Sequence, residues 1–229
     1  MSTTFQTDLF EQLSSQNPSS QYHLLPINTL FLLDKNDNIL DTINDVTATY
    51  SSGTITVTAD YTAQFTGSVA SVGIGSVYNG QTRIYFISKL KAPVQLTQGV
   101  TYTVSGTVNL ANFSLNTSPF PSATVSMRLI DIIGGILTGN PLYAGKTGQL
   151  FSTIYVINNT QNTVQSFKIP VSILMLENGV MTIGGIVPST VQGNQISVRN
   201  ANQESLIQIN GNTVITFKKG RTIAIELSF

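Results

Sequence analysis

Between Thr54 and Ala59 the chain alternates without a break, Thr-Ile-Thr-Val-Thr-Ala. Period-two alternation rich in β-branched residues predicts a half-buried strand. Apolar runs at 30–33 and 39–43 flank Asp34-Lys35-Asn36-Asp37-Asn38, the pattern of a hairpin. Residues 45–50 precede the 54–59 strand, and 67–77 reads as a strand interrupted by glycines. Asn79-Gly80 then predicts a tight turn into a strand at 83–87. Pro119 and Pro121 lie in a looped stretch. Beyond it, 123–133 predicts a strand and the glycine-rich 134–148 an exposed loop. Strands follow at 151–157, 165–175, 180–186, 195–198, 206–209, 214–217 and 222–229, at the spacing of a β-sandwich. Little outside residues 8–14 carries helical periodicity.

Two stretches repeat one pattern. Residues 94–104 read apolar-x-apolar-x-x-Gly-x-Thr-apolar-x-apolar about Gly99, and 215–225 read the same about Gly220. Each predicts a strand, a structural glycine turn and a second strand. Ser52-Gly53 and Asn178-Gly179 precede the two copies at similar distances. The expectation is an all-β, antiparallel sandwich of jelly-roll type. It would be divided as an N-terminal arm (1–21), a first module (22–113) and a second module (114–229), or built as one larger sandwich over 22–229. In the arm, Asp8 suits a helix cap, and Phe5, Leu9 and Leu13 fall on one face, a stripe able to dock on a neighbouring subunit.

Composition narrows the function. Charged residues make up 10% of the 229, with 11 basic and 11 acidic residues cancelling, against about 25% in ordinary soluble proteins. Thr, Ser, Asn and Gln must therefore build the polar surface, which suits close packing on other proteins because few ions need desolvating. Zero net charge argues against nucleic acid as a specific partner. The absence of cysteine excludes disulfides and thiolate metal sites. No apolar run reaches the roughly 20 residues of a membrane helix.

Catalytic chemistry is scarce. His23 is the single histidine, too few for a triad or a histidine metal cluster. The stretch from Gly139 to Thr147 misses the phosphate-loop spacing by one position, at Asn140. Asp34 to Asn38 begins like a calcium loop, but Ile39 stands where the central glycine belongs. Gly73-Ile74-Gly75 lacks the third glycine of a dinucleotide site. Lys218, Lys219 and Arg221 surround Gly220 and read as a solvated tip. Tyr50, Tyr61, Tyr78 and Tyr143 suit either a glycan or protein surface or packing within the sheets. The expectation is no enzyme, no cofactor and no metal.

The repeated unit at 94–104 and 215–225, with the Thr/Asn/Gln surface, sparse charge and N-terminal arm, resembles structural proteins of icosahedral viruses: capsid and vertex or turret proteins of archaeal viruses and phages. The resemblance implies a subunit located in the virion, with itself and other virion proteins as partners and no transmembrane segment. The alternative expectation is a receptor- or carbohydrate-binding β-sandwich of a viral fibre or phage tail, with a host receptor or glycan as partner.

Overall fold

A computed structural model describes residues 3–5, 25–112, 114–116, 120, 122–140, 150–160, 163–177 and 180–228. The chain is all-β and antiparallel, and it divides into two compact units.

The first unit contains β1 (Thr3–Phe5), β2 (Thr29–Leu33), β3 (Ile39–Ile43), β4 (Thr47–Ser51), β5 (Thr54–Thr62), β6 (Gly67–Tyr78), β7 (Gln81–Leu96) and β8 (Thr101–Asn109). They form two sheets, β1-β7-β6-β2-β3 and β4-β5-β8. The alternation at 54–59 does what it predicts: Ile55, Val57 and Ala59 are buried, and Tyr61 extends the row. On β2 all five residues are buried, so both of its faces are covered. Phe31 and Leu33 cluster with Ile87 on one of them.

The second unit contains β9 (Ser114–Asn116), β10 (Ser122–Val125), β11 (Thr153–Thr160), β12 (Thr163–Pro170), β13 (Ile173–Glu177), β14 (Val180–Ile186), β15 (Val191–Arg199), β16 (Ser205–Phe217) and β17 (Thr222–Ser228). Its sheets run β10-β16-β15-β11-β12 and β13-β14-β17-β9. Strand for strand, this is the order of the first unit, with β9 added at one edge.

The correspondence holds at the level of register. In the first unit the ladder slips between Val69 and Ser71 and again between Ile74 and Gly75. In the second it slips between Gly193 and Gln195 and between Val198 and Arg199. The partners match as well: Val69 faces Val94 and Ser71 faces Lys89, while Gly193 faces Ile215 and Gln195 faces Asn210. Two bulges at equivalent places mark one architecture used twice.

The all-β antiparallel sandwich is present, and among the described strands β2–β3, β4–β5 and β6–β7 pair as sequential hairpins. Local turns drive that choice. Asp34 accepts the amides of Asn36 and Asn38 at 2.8 and 2.9 Å, and Asn79 and Gly80 both take the positive φ of a hairpin turn.

One expectation needs correction, the strand at 123–133. The strand β10 ends at Val125, and Met127–Leu137 is a helix, α1, where a strand and a glycine loop were expected. Leu129, Ile132, Ile133, Ile136 and Leu137 recur at the spacing of one helix face, a signal that the adjacent Gly134 and Gly135 obscure. Local capping fixes its ends. The Ser126 hydroxyl accepts the Leu129 amide at 3.3 Å at the start. At the end Gly139, with φ +72, closes the helix: its amide donates to Ile136 and the Asn140 amide to Gly135.

Candidate interaction surface

The two glycine corners carry the chain between sheets. At Gly99 it passes from β7 to β8, and at Gly220 from β16 to β17, and in neither case do the two strands pair with each other. Both glycines have positive φ (81° and 75°), as the third residue of such a turn requires. Four hydrogen bonds repeat. The Gly99 amide donates to Ala63 O at 2.8 Å, and Gly220 to Val187 O at 2.8 Å. Ala63 N donates to Val100 O at 3.0 Å, and Val187 N to Arg221 O at 2.9 Å. Val100 N reaches Thr97 O, and Arg221 N reaches Lys218 O. The Gln98 amide donates to the Thr66 hydroxyl at 3.0 Å, and Lys219 to the Thr190 hydroxyl at 3.2 Å. Lys218, Lys219 and Arg221 are exposed around the second corner, and no aromatic ring accompanies them in that turn.

The units differ on the side that β8 and β17 border. In the second unit, β9 pairs with β17, placing Leu115 opposite Leu227. Phe120 follows, 6% exposed. Its ring stacks with Phe217 at 6.4 Å between centroids. A Cβ on Gly211 would come within 2.7 Å of the Phe120 ring, so glycine leaves the space that the ring fills. In the first unit, among the described residues, no strand pairs with the outer edge of β8. A cavity of about 230 Å³ opens there between the sheets, lined by Leu32, Val72, Leu90, Val94, Leu96 and Tyr102 among others. Corner geometry and register make Leu90 and Leu96 the counterparts of Gly211 and Phe217. The cavity therefore sits where Phe120 sits in the other unit.

The edges of the three-stranded sheet carry no charge. Thr47–Ser51 and Thr101–Asn109 contain no Asp, Glu, Lys or Arg. Edge strands ordinarily use charge or proline to deter pairing with another chain.

Phe5 lies on β1, opposite Phe86 in the ladder with β7. Leu9 and Leu13, with Asp8 and the rest of the arm beyond Phe5, lie outside the described residues, as do His23 and Tyr143. Tyr61 is buried, donates to Asp41 at 2.6 Å and accepts the Gln64 amide at 3.2 Å. Burial, then the Asp41 carboxylate, push its phenol above the ordinary 10.0. The Tyr50 hydroxyl accepts from Gly53 N. Tyr78 remains 57% exposed.

The motif look-alikes resolve into backbone geometry. Both carboxylate oxygens of Asp34 accept hydrogen bonds within its own turn, chiefly from Asn38, which hold its pKa below the ordinary 3.8. Gly139 closes a helix rather than opening one, the reverse of a phosphate loop. Gly75 lies at a bulge against the Arg83 carbonyl, leaving no room for a side chain. Among the described residues no three His, Asp or Glu side chains converge to hold a metal ion, and no helix is long and apolar enough to cross a membrane. Sequence reasoning missed the role of Phe120; its only visible signal was an aromatic residue between Pro119 and Pro121. No family model, no curated protein and no solved structure matches this chain.

Proposed function

We propose that the chain is a non-enzymatic structural subunit of a virion, assembling through contacts with itself and with other virion proteins. The observation that carries this reading is the pair of uncharged edge strands, β4 and β8, on one sheet of the first unit. Unpaired N–H and C=O groups along such edges are templates for strand addition. The sparse charge of the whole chain supports the same reading, since little ionic desolvation opposes burial of its surface. Light scattering across a concentration series tests it. The expected result is concentration-dependent oligomers that Thr49→Lys on β4 disrupts without lowering the melting temperature. A strict monomer at the highest attainable concentration counts against the reading, and saturable binding on a glycan array by that monomer would favour a receptor-binding role.

A further inference from the structure

We propose that the open side of the first unit binds an extended segment of a partner protein, which adds as a strand to the outer edge of β8 and inserts an aromatic side chain into the neighbouring cavity. The proposal rests on the reading of the chain as an assembling protein and names the site and the chemistry of its occupant.

The occupant's form is displayed in the second unit. There the chain's own segment runs as β9 along β17 and then delivers Phe120 beside Gly211 and Phe217. The β17 positions paired with β9, Glu226 to Ser228, correspond to Ser105 to Thr107 on β8. Those β8 positions have β5 on one side and no strand on the other among the described residues. Among the described residues, the first unit thus presents both halves of the same receptacle, an open ladder edge and a cavity beside it.

Size and lining select the anchor. Leu90 has a side chain where Gly211 has none and fills part of the equivalent volume, yet about 230 Å³ remains. A cavity of about 150 Å³ lined by aliphatic side chains is large enough for benzene. The space therefore accepts a phenyl ring, and its lining is mostly Leu and Val, with Tyr102, Thr103 and Ser105 of β8 beside them and no charged group to pair with an ion. Backbone hydrogen bonds along β8 would supply affinity and the pocket selectivity, the division seen wherever a peptide extends a sheet. The segment in the second unit sets the spacing: a short polar strand ending at Asn116, with the aromatic residue four positions on at Phe120.

A fluorescent peptide with the sequence of residues 114–121 is the probe, titrated into the full chain and followed by anisotropy. Saturable binding is expected. Alanine at the position of Phe120 in the peptide should weaken it by about tenfold or more, the worth of burying one aromatic side chain. Val94 lies at the cavity mouth and is 45% exposed, so Val94→Arg should fold and melt normally while weakening the peptide to a similar degree. The variant also separates this site from displacement of the native segment in the second unit. Binding that Val94→Arg leaves intact, or no saturation at millimolar peptide, overturns the proposal. So does a peptide-free dimer that Val94→Arg dissociates, since the occupant would then be a second copy of the chain. Absent peptide binding alongside persistent oligomers would sink this site and leave the assembly reading standing.

Discussion

The amide of Gly220 donates to the carbonyl of Val187 at 2.8 Å, tying the second corner to the loop between β14 and β15. Gly99 and Ala63 make the same bond between β5 and β6. No heavy atom lies within 4 Å of a Cβ built on either glycine, so space does not restrict these positions and backbone conformation does. Gly99→Ala and Gly220→Ala should each cost roughly 1–2 kcal/mol, the penalty of a left-handed L-residue. Urea denaturation checks this, and an unchanged midpoint would show that the corners tolerate another backbone path.

Phe120→Ala should destabilise the second unit by about 3 kcal/mol, a typical cost for removing a buried aromatic ring. Restoring volume on the facing strand offers a control. Gly211→Ala in the Phe120→Ala background should cost less than Gly211→Ala alone, because the clash with the ring is gone. Additive losses would place Phe120 outside the space inferred for it.

Truncation before Thr222 removes β17, the strand between β14 and β9, and with it buried Ile223, Ile225 and Leu227. The second unit should fail to fold. Loss of amide protection confined to residues of that unit is the expected hydrogen-exchange result; full protection of β14 would contradict it.

Tyr61→Phe removes a buried hydroxyl that serves both Asp41 and Gln64, and should cost about 1 kcal/mol. The wild type should also lose stability at alkaline pH. The folded phenol holds its proton more tightly than the unfolded one, so this contribution is intact below the ordinary 10.0 and fades as pH rises through the raised folded value. Asp34 acts at the other end of the scale. Its folded pKa is lowered, so its contribution is present above the ordinary 3.8 and fades as pH falls toward the folded value. Melting temperatures of Tyr61→Phe, Asp34→Ala and wild type across pH check both signs, and parallel curves would refute them.

Much of the fold was legible because its signals are local. The alternation at 54–59, the Asn79-Gly80 turn and the two glycine corners each depend on a few adjacent residues, and all appear where the pattern places them. The helix at Met127–Leu137 was hard to read because Gly134 and Gly135 interrupt a run that otherwise keeps helical spacing at 129, 132, 133, 136 and 137, and Ser126 and Gly139 are weak signals alone. The sheet order was illegible for another reason: β2 bonds to β6 and β5 to β8 across long stretches of chain, which local pattern does not encode. The pocket compounds both difficulties. Leu90 and Leu96 look like ordinary strand residues, and their meaning emerges only beside Gly211, Phe217 and Phe120.

Between the matched ladder positions Gly75 and Ile84 the first unit spends eight residues, 76–83; between Arg199 and Ser205 the second spends five, 200–204. The corners at Gly99 and Gly220 show no such difference in length. Natural variation has thus already measured where this architecture tolerates added chain. The tip at Asn79-Gly80 is the place to graft a tag, a label or a foreign epitope. The corners work as fixed gauges, because a residue added there would shift the strand that follows by one step and turn its apolar face to water.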